Sequence, residues 1–267
     1  LFADGSFKTG GATYLRPSLA VTTGDGMNVF TPDHGGLKLG GRVDFLPFGL
    51  FTNFGQFREA DIVRELTPKL VIGATYSHNS GMSSRRGRES GAILYLNEAG
   101  EESLPNYTKY GLDFMFKYKG VSVLGEWVGS SATVPDDITQ RVRTDGSIAT
   151  TFEIDGEQNV ENYVKNRMML GKGYNIQAGY VFKKLVSIDA RYCHLDADQY
   201  SFLNNGTFYN RPNYYTLGFT KYFYRGYGLK VQASMTYVEA APGSNDNAGI
   251  PMNGNEWIGR LVTTISF

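Results

Sequence analysis

The last twelve residues, EWIGRLVTTISF, alternate strictly in character. Odd positions carry Trp257, Gly259, Leu261, Thr263, Ile265 and Phe267, and even positions carry Glu256, Ile258, Arg260, Val262, Thr264 and Ser266. An apolar face backed by a polar one at period two predicts a half-buried β-strand. The same alternation recurs along the chain and predicts about ten strands, near 13–22, 37–47, 68–78, 107–118, 121–130, 173–183, 185–195, 213–224, 228–238 and 256–267. One parity collects Leu39, Val43 and Phe45, then Ile72, Ala74 and Tyr76, then Leu112, Phe114 and Phe116, with Val123 and Trp127, Ile176 and Tyr180, Ile188 and Tyr192, and Val231 and Met235 following. No charge interrupts these apolar sets.

The opposite parity holds Lys38, Arg42, Asp44, Lys109, Asp113, Lys117, Glu126, Asp189, Arg191, Lys230 and Arg260 among Gly, Ser, Thr, Asn and Gln. That face is expected to be wet. Connections fall into two kinds that take turns: tight ones such as YKGVS and YRGYGLK, and long ones near 79–106, 131–172, 196–212 and 239–255. Short turns on one side and long loops on the other are the habit of transmembrane β-barrels. Residues 48–67 are the exception, because they fall on the short-turn side and are too long for a tight turn. Tyr76, Tyr118, Trp127, Phe182, Phe223, Tyr237 and Trp257 gather toward strand ends, where amphipathic rings favour the headgroup level.

Composition narrows the class. Among 267 residues, 26 basic ones balance 26 acidic ones, which removes any net-charge argument for nucleic acid. No stretch approaches the roughly 18 consecutive apolar residues of a membrane helix, but a barrel strand needs only about 9 to 11 with one apolar face. With 33 Gly, 18 Tyr and 17 Phe, and a mean hydropathy of −0.29, the mixture suits a membrane barrel better than a helical membrane protein or a soluble α/β enzyme. One cysteine, Cys193, allows neither an internal disulfide nor a cysteine zinc site. No leader precedes Leu1, so an export signal is expected to have been removed or to lie outside the sequence. The fold expected is all-β, a single transmembrane antiparallel up-and-down barrel over residues 1–267 in a bacterial outer membrane. A water-soluble barrel or sandwich with a ligand interior is the competing reading.

Particular words add a family. RVDFLPFG, LTPKLVIGATYSHN, FMFKYKGVSVLGEW, GYNIQAGYVF, ARYCHLD and YYTLGFTKYFYRGYGLKVQASMTYVE, in that order, resemble successive strands of the phosphate-selective porin O/P family from about Thr13 to Phe267. The resemblance implies a 16-stranded barrel of a Gram-negative bacterium, of which ten strands here would be the C-terminal part. An early segment like GQFKVPF is absent, and a complete ten-stranded barrel is the alternative. The resemblance also implies that the terminal aromatic, Phe267, is read by the barrel-insertion machinery. The arginine ladder of the namesake proteins cannot be assembled from the inward positions, so phosphate is not carried over as a solute.

The function expected is passive diffusion of small hydrophilic solutes through a water-filled channel, mildly anion-favouring because inward Lys and Arg outnumber inward Asp and Glu. A self-neutralising cross-strand charge network is the structural alternative for the same residues. No cofactor, metal or catalytic step is expected. Partners are outer-membrane lipid and lipopolysaccharide, the insertion machinery, and either other outer-membrane proteins or further copies of the chain, with no nucleic acid. A structural barrel subunit of a larger complex is a second reading. A protease-like barrel enzyme is a third, resting on His194 beside Asp196 and Asp198 in CHLDADQY. The SRRGRES stretch at 84–90 could contact lipopolysaccharide phosphate.

Overall fold

The computed structural model describes residues 1–24, 34–83, 94–143, 145–204, 211–241, 250 and 254–266. Two short strands, β1 (Phe2–Asp4) and β2 (Phe7–Gly10), precede β3 (Thr13–Thr22), β4 (Lys38–Leu46) and β5 (Lys69–Asn79). After the two-residue β6 (Tyr95–Leu96) come β7 (Asn106–Tyr118) and β8 (Val121–Thr133). A long excursion holds β9 (Gln140–Val142), β10 (Ile148–Ala149), β11 (Glu153–Ile154), β12 (Glu157–Gln158) and α1 (Val160–Lys165). The chain then returns through β13 (Gly171–Val181), β14 (Val186–Ala197), β15 (Asn213–Tyr222), β16 (Leu229–Glu239) and β17 (Glu256–Ile265). No helix among the described residues is long and apolar enough to cross a membrane.

Ten long strands, β3, β4, β5, β7, β8 and β13 to β17, pair antiparallel with their successive neighbours in one sheet. Their number and positions follow the period-two pattern to within a few residues. The sheet has twelve strands because β1 and β2 both pair with the outer side of β3. They do so in one register, Asp4 opposite Ser18 and Phe7 opposite Leu15. The gap between them faces Pro17, which has no N–H to give the ladder. Only the Gly5 N–H, bonded to the Pro17 carbonyl at 3.0 Å, bridges it. The two pieces are thus a single interrupted strand.

Connections alternate as expected. Lys119 and Gly120 join β7 to β8 with positive φ at both residues, 49° and 96°, the backbone of a type I′ hairpin turn. On the opposite side, residues 80–83, 94–105, 134–143 and 145–170 fold together. Met82, Tyr95, Leu104, Ile138, Phe152, Val164 and Met168 bury a core of their own there. Helix α1 begins at Asn159, whose side chain accepts the Asn162 N–H at 2.9 Å, and Glu161 pairs with Lys165 across one turn at 2.7 Å. This loop core reaches the sheet where the Met169 carbonyl accepts from the Tyr107 hydroxyl at 2.7 Å and the Ser130 hydroxyl at 2.8 Å.

The sheet is strongly curled, with its polar face concave. Eight inter-strand steps of about 4.8 Å separate β3 from β16 in a flat sheet, close to 40 Å. Yet residues 57–60 span both sides: the Phe57 ring lies 5.6 Å from the Arg16 guanidinium on β3, and the Ala60 carbonyl accepts from Tyr227, before β16, at 2.7 Å. Only curvature brings those elements within reach of four residues.

A Cβ at Gly120 would collide with the Arg64 guanidinium and sit 2.6 Å from the Val181 carbonyl, at a φ that side chains rarely adopt. Gly120→Ala is expected to cost on the order of 1–3 kcal/mol. Lys119→Asn, already at positive φ and able to adopt it, is expected to be near neutral. Heat unfolding followed by the β-sheet circular dichroism signal compares the two.

Candidate functional site

Register sorts the side chains into two faces without exception across the long strands. Leu39 pairs with Val21, Phe45 with Ile72, Ile72 with Phe114, and Leu112 with Trp127. Trp127 continues to Tyr174, Ala178 to Ala190, Ile188 to Phe219, Leu217 to Met235 and Ala233 to Leu261. This convex face is apolar and open to its surroundings: Leu217 is 61% exposed, Trp257 67% and Leu261 76%. An exposed apolar face of this extent marks contact with something other than water.

Near the long-loop side the face carries a row of rings. Tyr174, Tyr192, Tyr215, Tyr237 and Trp257, one from each of five adjacent strands, have successive centroid separations of 5.8, 5.0, 6.2 and 5.0 Å. Trp127, opposite Tyr174 in register, adds Tyr110 at 5.4 Å. His194 belongs to this row. Its ring lies 5.2 Å from Tyr174, and its Nδ1 is 2.8 Å from the Asn213 side-chain oxygen. Toward the turn side Tyr180 and Phe182 meet edge to face at 4.8 Å.

The concave face holds Lys38, Arg42, Asp44, Lys109, Asp113, Lys117, Glu126, Asp189, Arg191, Lys230 and Arg260. The structure gathers them into different settings. Arg42 reaches across β5 from β4 to β7, donating to Asp113 through both terminal nitrogens at 2.6 and 2.7 Å and forming an ion pair with Asp44 at 2.7 Å. The crossing is possible because Gly73 lies beneath: a Cβ there would collide with the guanidinium and approach Asp113. Glu126 stands opposite Asp113 and accepts from the Asn175 side chain at 3.0 Å. With Arg16 on β3 opposite Asp44, this sector sets three carboxylates against two guanidinium groups. Around the sheet, Arg191, Lys230 and Arg260 on β14, β16 and β17 outnumber Asp189, which accepts from the Ser187 hydroxyl at 2.8 Å. Cys193 is half-buried on the same face.

Lys117 is covered, unlike a residue lining open water: it is 1% exposed, and its ammonium donates to the carbonyls of Gly55, Arg58 and Ala60 at 2.8, 2.5 and 3.0 Å. Those carbonyls belong to residues 47–68, the connection too long for a tight turn, which folds back over the concave face. A 3₁₀ turn at Thr52–Phe57 begins it. Asp61, fully buried, accepts from the backbone N–H of Gly120 at 2.7 Å and of Glu65 at 3.1 Å. Arg64 donates to the Val181 carbonyl and lies over the Tyr180 ring at 5.4 Å. Burial pushes the Tyr227 phenol, which donates to Ala60, up to about 12. Gln56 and Phe57 face Arg42, Asp44, Asp113 and Glu126 across a cavity of about 380 Å³. Arg58 and Glu59 face Asp189, Arg191 and Lys230 across one of about 550 Å³.

Sequence reasoning missed Arg58, Glu59 and Asp61 as part of this arrangement. Its only trace was FREADIVRE, a dense run of charges on a connection that should have been short. Phe267 and the SRRGRES stretch lie outside the described residues. Among the described residues no group of three or more His, Cys, Asp or Glu could hold a metal ion.

Removing Arg42 leaves Asp44 and Asp113, both largely buried, facing each other across Gly73. Arg42→Gln is expected to destabilise by about 1–3 kcal/mol. Adding Asp113→Asn, which removes the repulsion, should restore much of the loss. A double-mutant cycle on unfolding free energies checks the loss and its rescue; equal losses in the Arg42→Gln and double variants would show that Arg42 packs without pairing. Set beside known proteins, the chain matches no family model, no curated protein and no solved structure.

Proposed function

We propose that the sheet is the wall of an outer-membrane pore of the porin type, passing small hydrophilic solutes by diffusion with a mild preference for anions. The observation that supports this most is the convex face, charge-free in its middle and continuous over eleven adjacent strands when β1 and β2 are counted as one. Tyr174 on β13 and Phe182 just past its end, at the two margins, are eight residues apart, about 26 Å of extended chain at about 3.3 Å per residue. At the roughly 35–45° tilt of barrel strands that length rises about 20 Å, comparable with the roughly 25 Å apolar band, bounded by rings, of outer-membrane barrels. A polar concave face behind it suits a wet lumen.

The charges on that face divide the work. Arg42 is matched by Asp44 and Asp113, and Lys117 is buried beneath residues 47–68 near the carboxylates of Asp61 and Glu65, so neither adds much to the field felt by a passing ion. The anion preference falls to Arg191, Lys230 and Arg260. A second reading, a structural barrel subunit of a larger complex, draws on the two outer strands, each of which has a neighbour on one side only among the described residues. β1–β2 and β17 both run from the long-loop side to the turn side, so they cannot pair antiparallel with each other, and all-antiparallel closure takes an odd number of further strands. Stoichiometric partners retained through mild detergent extraction would favour that reading.

Purified protein in a planar bilayer is expected to give discrete conductance steps. The reversal potential should favour anions at low salt and lose that bias as salt rises past 0.1 M, where the screening length is about 10 Å. Arg191→Gln, Lys230→Gln and Arg260→Gln together should move it toward cations, and Arg42→Gln should move it far less. A pore that is cation-selective from the start would sink the electrostatic part of the proposal. Aqueous labelling of single cysteines at Ile188 or Val231 as fast as at Arg191, in a Cys193→Ser background, would sink the membrane part.

A further inference from the structure

We propose that residues 48–67 are the constriction of this pore, that the passage left open runs between this segment and β14–β16, and that Glu59 is the residue on the segment that tempers the passage's charge. The inference rests on the pore reading above.

The segment lies on the side where four other connections are short: 11–12, 119–120, 182–185 and 223–228. A connection of its length has no need to enter the concavity, since it could extend into solvent as loops do. It enters nonetheless, and it brings buried apolar side chains with it. Phe51 packs with Leu46 and Val71, and Ala60 and Ile62 pack with Val181 and Tyr222. These contacts are at opposite parts of the curled sheet, so the segment crosses the concavity.

Its anchors come from three successive hairpins. Lys117 and Gly120 hold it from β7–β8, Val181 and Gln177 from β13–β14, and Tyr227 from β15–β16. The anchor at Lys117 is the most demanding, because a buried ammonium needs acceptors for all three of its protons and here three carbonyls of the segment supply them. Lifting the segment would strip that ammonium of every partner at once. The element is therefore part of the resting wall.

With the segment in place, the wider of the two spaces beside it is the one of about 550 Å³ on the β14–β16 side. The wall there offers Arg191, Lys230, Thr216 and Gln232, and the segment offers Arg58 and Glu59. Arg58 lies 5.0 Å over the Tyr227 ring, while the Glu59 carboxylate accepts from the Gln177 amide at 3.3 Å, close enough to Asp189 to interact with it electrostatically. Two carboxylates thus temper two wall cations, and removing the one on the segment should sharpen anion preference.

Two variants test this in planar bilayers and in vesicle swelling with sugars of graded size. Lys117→Met, which removes the ammonium that three segment carbonyls surround, should raise single-channel conductance severalfold and admit larger sugars. Glu59→Gln should leave the size limit alone and shift the reversal potential further toward anions. Should Lys117→Met fail to assemble, Glu59→Gln carries the test, since a reversal potential identical to the parent's overturns the placement of the passage. Wild-type conductance with both variants indistinguishable from it overturns the constriction while leaving the pore standing. No conductance in the wild-type protein overturns the pore reading and this inference with it.

Discussion

Everything in this sheet depends on strands keeping the same phase. A β-strand turns its side chains to alternate faces, so a one-residue slip in any of the long pairings would put an entire polar set on the apolar face. The pairings hold that phase from Leu39 opposite His78 through Tyr237 opposite Trp257. The two faces could not trade places cheaply. One carries Leu217 and Leu261 open to the surroundings, while the other carries Arg42, Asp113 and Arg191 in ion pairs or beside polar cavities. Register is thus fixed from both sides at once, by apolar contact on the convex face and by hydrogen-bonded charge on the concave one.

This explains which parts of the structure were legible in the sequence. Ten strands could be read because each carries several consecutive repeats of the period. Strand β7, for example, sets Tyr110, Leu112, Phe114 and Phe116 against Lys109, Asp113 and Lys117. The eleventh was not read, because FADGSFKTGG has little alternation and the break opposite Pro17 comes from a residue on a different strand. The aromatic tendency of strand ends was visible, but the unbroken row from Tyr174 to Trp257 was not, since it needs five registers to be known together.

Charge was harder to read than hydrophobicity for a related reason. Parity places a side chain on a face, and all of the concave charges could be placed that way, but parity says nothing about who their partners are. Arg42 and Asp113 lie 71 positions apart and meet only because Gly73, on the strand between them, has no side chain to obstruct the crossing. Lys117 looked like one more wet lysine, because its acceptors are backbone carbonyls, and carbonyls leave no mark in a sequence.

The two roles of charge on this face also follow from distance and exposure. A guanidinium gripped by two carboxylates at 2.6 to 2.7 Å ties β4 to β7 across β5 and has its own charge compensated on the spot. Cations spread over β14, β16 and β17 with fewer carboxylates near them act through space instead. The segment at 48–67 lies between these sectors, with Gln56 and Phe57 against the first and Arg58 and Glu59 against the second. Its neutral residues thus meet the sector built around the Arg42 ion pairs, and its charged residues meet the sector where cations outnumber carboxylates. If the wall encloses a wet lumen, an ion crossing it would be steered past Arg191 and Lys230, so the long connection and the uneven placement of charge amount to one arrangement.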